Sequence, residues 1–234
     1  MNLNGWEMTW LGHAAIRLRA DDGTTVLVDP WLSGNPACPE EEHEQDRVDA
    51  IYITHGHFDH VGSSVDIARA SGARVHAIHE IAVWGEAQGL ETVGSNKGGT
   101  VEGPAGIRAT LVDAVHSSGI TGDSGIVPGG EAGGWVLELP GGPTIYHAGD
   151  TMVFGDMQLI GELWSPDIAI VPIGGWYTMG AVQAARAGML IGAESVVPIH
   201  YGTFPILAGT PSELAEACAG AFEVVPLDVG VPAT

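Results

Sequence analysis

Basic side chains are what this sequence has least of. It carries one lysine, Lys97, and seven arginines against 29 acidic residues, for a formal net charge of -21 over 234 residues. Affinity for polyanions rests largely on Lys and Arg neutralising phosphates, so this balance disfavours nucleic acid as a partner, although bound metal ions would add local positive charge. Cysteine is nearly absent as well. Cys38 and Cys218 cannot build a disulfide scaffold and offer no Cys-x-x-Cys pair for metal or redox work, so both read as incidental thiols. No apolar run approaches the roughly 18 residues needed to cross a bilayer, which excludes a spanning helix. The opening Met1-Asn2-Leu3-Asn4-Gly5-Trp6-Glu7 has no basic start, apolar stretch or small-residue cleavage site, so the cytoplasm is the expected compartment. Heptads, repeats and low-complexity tails are missing too. The sequence therefore nominates no interface, though it is compatible with a homo-oligomer. The acidic run Glu40-Glu41-Glu42-His43-Glu44-Gln45-Asp46 reads as a solvated loop.

What is present is the composition of one globular domain spanning residues 1–234, with 45% hydrophobic residues. Thr9 to Arg19 and Thr24 to Trp31 read as consecutive strands joined at Asp21-Asp22-Gly23, and Ala50 to Thr54 as a short buried strand. A helix over Ser63 to Ser71, a strand Arg74 to Ile78 and a helix over Glu80 to Gln88 follow. The second half repeats the style. It has a strand Ile107 to Val115, a glycine-rich loop Gly119 to Gly134, and a hairpin pairing Trp135 to Leu139 with Thr144 to His147. Helices near Met157 to Leu163, Ala181 to Leu190 and Pro211 to Ala221 alternate with strands Ile168 to Ile173 and Val196 to His200. Two mixed sheets packed face to face and covered outside by helices would satisfy this pattern. The expected fold is an α/β, four-layer αββα sandwich.

The chemistry concentrates in Thr54-His55-Gly56-His57-Phe58-Asp59-His60. At the end of an extended segment residues two apart point the same way, so His55 and His57 can reach one ion at roughly 2 Å. Once the chain turns after Gly56, Asp59 and His60 can face a second ion beside the first. Four ionisable groups within six residues need such a partner if they are to be buried. The missing ligands should be His, Asp or Glu at the ends of other strands. His116, Asp150 and His200 each close an apolar strand-like segment, at the position where α/β folds gather their sites.

The ordered set Thr-His-x-His-x-Asp-His, His116, Gly149-Asp150-Thr151 and His200 resembles the signature of the metallo-β-lactamase superfamily across nearly the whole chain. Within it the sequence is most similar to a bacterial and archaeal group known only as metal-dependent hydrolases, itself similar to the ascorbate-phosphate lactonases. Supporting segments are Trp10-Leu11-Gly12-His13, Asp29-Pro30-Trp31-Leu32-Ser33-Gly34-Asn35-Pro36, His147-Ala148-Gly149-Asp150-Thr151 and His200-Tyr201-Gly202-Thr203-Phe204-Pro205.

The resemblance implies that His55, His57 and His116 hold one metal, that Asp59, His60 and His200 hold the other, and that Asp150 bridges them. It also implies an enzyme, a hydrolase with a dinuclear site. A metal-bound hydroxide would attack a small ester, lactone or phosphodiester, with Asp59 as the catalytic carboxylate that orients it or passes on its proton. The all nitrogen and oxygen ligand set suits zinc first, with manganese, iron or nickel compatible. The alternatives are an RNA-processing or phosphodiesterase member of the fold, a di-iron oxidoreductase and a non-catalytic metal-stabilised scaffold. The first would normally bring a basic surface or an added binding domain, the second an electron-donor module. Seven intact ligands argue against the third.

His13, Asp29 and His147 are candidates to support the ligands or line the pocket, because ligating imidazoles usually donate their other N–H to an acceptor. Trp176 and Tyr177, in the turn Gly174-Gly175-Trp176-Tyr177, could form an aromatic wall beside the metals. His43, His76 and His79 read as surface or packing residues. The Gly119 to Gly134 loop is either a lid over the site or an ordinary surface loop.

Overall fold

Short apolar segments broken by glycine-centred turns supply the strands, which with their helices fall along the chain into two consecutive sets. The computed structural model describes residues 1–122 and 125–234. The first set comprises β1 (Trp6–Trp10), β2 (Ile16–Ala20), β3 (Thr25–Val28), β4 (Ala50–Tyr52), α1 (Phe58–Val61), α2 (Ser64–Ser71), β5 (Arg74–Ile78), α3 (His79–Ala87) and β6 (Thr92–Ser95). The second comprises β7 (Thr100–Glu102), β8 (Arg108–Asp113), β9 (Gly119–Gly122), β10 (Gly125–Pro128), β11 (Gly133–Glu138), β12 (Thr144–His147), α4 (Met157–Trp164), β13 (Ile168–Pro172), α5 (Ala181–Ile191), β14 (Ser195–Ile199), α6 (Pro211–Cys218), β15 (Glu223–Val224) and β16 (Pro232–Ala233).

These strands build two seven-stranded sheets, ordered β16-β1-β2-β3-β4-β5-β6 and β15-β14-β13-β12-β11-β8-β7, beside a two-stranded β9-β10 hairpin. In the first sheet β1, β2 and β3 run antiparallel and β3 to β6 parallel. In the second, β8, β11 and β12 run antiparallel and β12 to β15 parallel. Parallel neighbours need crossovers, and the helices supply them.

Alternation fixes what each face meets. Trp135, Leu137, Ile168 and Ile170 of the second sheet lie in one buried cluster with Met8, Leu18, Leu27 and Ile51 of the first. Their sequence neighbours Val136, Ala169 and Val171 point the other way, into a cluster with Met157, Ile160, Ala184 and Leu214 of α4, α5 and α6. Ala68 of α2 and Ile81 of α3 close the core on the first sheet. The αββα sandwich expected from the sequence is the architecture found. None of the described helices is long and apolar enough to cross a membrane.

Three local expectations need correction. The segment Thr9 to Arg19 is two strands, because Gly12 (φ +93°) and His13 (φ +54°) take left-handed conformations and turn β1 back onto β2. The strands β6 and β7 were not expected, as Thr92–Ser95 and Thr100–Glu102 are short and little buried. Much of the Gly119 to Gly134 loop is a hairpin, in which Val127 pairs with Ile120 and Ile126 with Thr121. Asp123 and Ser124, part of the same segment read as either a lid or a surface loop, lie outside the described residues. The hairpin is seated on the His55 to His60 run through Ile120, which is buried. A β-carbon on Gly56 would come within 2.7 Å of the Ile120 side chain, so only glycine leaves room for this approach.

Candidate metal centre

The candidate residues reach one place because each follows a strand. His55 and His57 follow β4, and Asp59 and His60 lie in the single-turn α1 that His57 caps. His116 follows β8, Asp150 follows β12 and His200 follows β14. The backbone is bent to aim them. Among the non-glycine residues with positive φ are His13 (+54°), Asp29 (+48°) and His200 (+56°). Such conformations cost of order 1–3 kcal/mol each and persist only where surrounding packing enforces them.

Hydrogen bonds decide which nitrogen each imidazole presents. Thr54 donates its hydroxyl to Asp29 Oδ2 at 2.6 Å, so its single proton is committed and Oγ1 accepts from His55 Nδ1 at 3.0 Å. His55 Nε2 is left as a lone-pair donor. His60 Nδ1 donates to Asp29 Oδ2 at 2.7 Å, which leaves Nε2 in the same state. Asp29 also accepts from the Thr54 backbone N–H at 2.8 Å and is fully buried, so it anchors two imidazoles, one directly and one through Thr54. His57 Nε2 lies 3.2 Å from the Ser117 hydroxyl, and its Nδ1 lies 3.0 Å from His55 Nε2.

The atoms left over converge. Ligand atoms of His55, His57 and His116 lie within 4.8 Å of one another, as do those of His13, Asp59, His60 and His200. Asp150 stands between the groups. Its Oδ1 is 3.4 Å from His60 Nε2, and its Oδ2 is 3.1 Å from His200 Nε2 and 3.7 Å from His116 Nε2. His60 Nε2, His200 Nε2 and Asp150 Oδ1 are buried yet make no hydrogen bond among the described residues. Buried polar atoms are rarely left so, and three aimed at a common volume fit a cation that would complete them.

Electrostatics favour the same occupant. Burial opposes charge on Asp150, but His200 and His60 beside it hold its carboxyl well below the usual carboxylate range. For Asp59 burial is likewise opposed and outweighed, first by the hydrogen bond from His13 and then by His200, whose Nε2 lies 3.8 Å from Oδ2, and by His60. Burial holds His55, His57 and His116 below the ordinary imidazole range. Burial opposes charge on His60 and His200 as well, but Asp150 and Asp29 beside His60, and Asp150 and Asp59 beside His200, raise both, His200 to about 9, so the carboxylates draw protons onto these two rings that a bound cation would displace. The centre opens into a cavity of about 600 Å³ lined in part by His57, Asp59, His116, Asp150 and His200.

The supporting candidates divide. His13 hydrogen-bonds Asp59 Oδ2 through Nε2 and Thr203 Oγ1 through Nδ1, both at 2.9 Å, so both its ring nitrogens are engaged. Burial pushes its pKa down to about 4, and a neutral ring must donate from Nε2 because the carboxylate can only accept. His147 donates from Nε2 to the Ala14 carbonyl at 3.1 Å and accepts from the Gly149 N–H at 3.2 Å. It thereby stitches the β1–β2 turn to the segment carrying Asp150. Tyr177 lines the cavity, whereas Trp176 does not: at φ +59° its side chain turns out to solvent and is 75% exposed. His76 is buried in the stack with Tyr52, consistent with packing. The sequence reading assigned no role to Thr54, Ser117 or Thr203. A hydroxyl adjacent to a ligand in sequence signals the first two, while Thr203 reaches His13 from 190 residues away and leaves no local trace.

The chain resembles known proteins over most of its length. The family described as a beta-lactamase superfamily domain matches residues 24–201. A metal-dependent hydrolase from Koribacter versatilis is 50% identical over 215 residues, 92% of either chain. Another from Rubrobacter xylanophilus is 47% identical over 213 residues, 90% of this chain and 88% of the relative. Among solved structures, the metallo hydrolase Igni18 from the hyperthermophilic archaeon Ignicoccus hospitalis superposes with a TM-score of 0.87 at 35% identity, covering 97% of both chains.

Proposed function

Since the chain belongs to the beta-lactamase superfamily and is a metal-dependent hydrolase, we propose that it holds two divalent ions, zinc first among them, and cleaves a small ester, lactone or phosphodiester. His55, His57 and His116 would hold one ion, and Asp59, His60 and His200 the other, with Asp150 between them. The observation that carries this reading is the set of buried atoms His60 Nε2, His200 Nε2 and Asp150 Oδ1, which have no hydrogen-bond partner among the described residues and face the same volume. The nitrogen and oxygen donor set, without thiolate, is the kind that borderline cations accept.

Two such ions supply Lewis acidity toward the scissile carbonyl or phosphoryl group and make water acidic enough to react near neutral pH. The protein supplies order. Asp29 and Thr54 fix the imidazole tautomers, so that Nε2 of His55 and of His60 points inward. Asp59 lines the cavity with Oδ2 held by His13, and it would orient the attacking water and carry its proton toward the leaving group. His13 acts through Asp59 as a positioning residue.

Metal analysis of the purified protein, followed by a chromogenic panel of esters, lactones and phosphodiesters, tests the reading. Two equivalents of metal and turnover lost to chelator are expected. Asp59→Asn should abolish turnover more completely than it reduces metal content. An active, fully metallated variant would remove Asp59 from the chemistry. Stoichiometry well below two, with no turnover after reconstitution, would overturn the dinuclear reading.

A further inference from the structure

We propose that the cavity selects uncharged substrates with an apolar acyl group, and that Phe58, Phe204 and Ile206 form the wall that receives it. This rests on the metal-centre reading above and narrows its substrate class. The polar lining of the cavity consists of metal candidates with His13, Ser117 and Thr121 beside them. Phe58, Tyr177, Phe204, Ile206 and Leu207 line it elsewhere.

The wall is built before any substrate arrives. Trp31, itself buried, packs edge-on against Phe58 at 5.5 Å between ring centroids and stacks on Phe204 at 6.1 Å. Phe58 is nevertheless 54% exposed and Ile206 42% exposed, so the apolar surface faces the opening. Rigid aromatic surface of this kind binds with little ordering cost.

Away from the metal centre, nothing in the cavity lining would receive a second anionic group of the substrate. None of its lining residues is Lys or Arg. Five of the cations are paired with carboxylates outside the cavity: Arg17 with Glu42, Arg47 with Asp49, Arg74 with Glu91, Lys97 with Asp113 and Glu131, and Arg108 with Glu138. Arg19 bonds Thr25 and Arg69 the Gln88 carbonyl, while Arg186 lies on α5. With a net charge of -21, the field around the mouth opposes anions. A second negative group, away from the reacting centre, would be left unpaired against an apolar wall.

The test keeps the reacting centre constant and changes only the tail. p-Nitrophenyl acetate, butyrate and hexanoate are compared with the p-nitrophenyl monoester of adipic acid, which ends in a carboxylate. In parallel, hexanohydroxamic acid and adipic monohydroxamic acid are titrated calorimetrically into the metal-loaded protein, a readout independent of turnover. The expected result is a rise in kcat/KM of roughly three- to fourfold per added methylene. The carboxylate-ended ester and hydroxamate should each be at least tenfold poorer than the neutral counterpart. Ile206→Lys should move that ratio at least tenfold toward the adipate ligands. Equal or better use of the adipate compounds, with metal-dependent turnover intact, overturns the apolar selection alone. If neither hydroxamate binds and no ester is turned over, the metal-centre reading fails and this inference fails with it.

Discussion

Asp29→Asn is the most revealing single change, because it keeps the shape of the side chain and alters only what its atoms can do. Asp29 accepts from the Thr54 N–H, the Thr54 hydroxyl and His60 Nδ1 at 2.8, 2.6 and 2.7 Å. An amide has one acceptor oxygen and one donor nitrogen. If its oxygen takes the Oδ2 place, the amide NH2 faces the Thr54 N–H and a buried donor goes unsatisfied, at about 1–3 kcal/mol. If the amide is flipped, its NH2 faces His60 Nδ1. The ring then relieves the clash by moving its proton to Nε2, the atom that points at Asp150. A protonated Nε2 has no lone pair to give.

The Thr54 hydroxyl loses its carboxylate partner in the flipped arrangement, so His55 is loosened as well. Metal affinity should therefore fall about 10–100-fold, the range typical of losing such an outer partner. That corresponds to about 1.4–2.7 kcal/mol. The ion near His60 should be affected more than the one near His55. Chelator-stripped protein titrated with zinc by calorimetry at neutral pH gives both affinities, and urea unfolding of the apo form shows whether the fold itself has weakened. If the variant binds two ions as tightly as its parent, then Asp29 does not set the tautomers and the account of the centre is wrong.

Other outcomes follow from the same geometry. Thr203→Val removes the partner of His13 Nδ1 and frees the ring that holds Asp59, so kcat should drop about tenfold with KM and metal content nearly unchanged; a parallel loss of metal would refute a positioning role. His76 is buried with its pKa pushed down to about 4, so its neutral form contributes up to about 3 kcal/mol that is present above pH 6.5 and lost as pH falls toward 4. His76→Leu should flatten that decline in urea midpoints measured between pH 7.5 and 5. Gly161→Ala would set a β-carbon 2.1 Å from the Ile191 carbonyl where α4 approaches α5, costing about 1–3 kcal/mol and lowering Tm, whereas Gly155→Ala meets nothing and serves as the control.

The parts of the centre that could be read from sequence are those encoded by neighbours in the chain. His55, His57, Asp59 and His60 announce themselves by spacing, and His116, Asp150 and His200 by closing apolar segments. The short apolar runs bounded by turns that placed those segments in strands are local too, which is why the sandwich could be anticipated. What escaped is encoded at a distance or in backbone shape. His13 reads as a pocket candidate, but not the turn that aims it, a left-handed conformation in an apparently continuous strand that a non-glycine residue does not advertise. Thr203 reaches it from the far end of the chain. The β9-β10 hairpin was hidden because its glycines read as a loop, and its seating depends on Gly56 in another segment. Trp176 looked like a pocket aromatic by position, and one positive φ sends it outward.

The placement of Asp150 between the two histidine groups bears on the order in which the centre fills. Its Oδ1 lies near His60 of one group, while its Oδ2 lies near His200 of that group and His116 of the other, so one carboxylate touches both groups. A first ion taking one oxygen would fix the rotation of the whole carboxylate and so prepare the other oxygen for a second ion. The shared negative charge would also shield the two cations from each other. Loading should then be steeper than for independent sites, with protein holding a single ion scarce at every concentration of metal, so that a population short of metal divides into empty and fully equipped molecules.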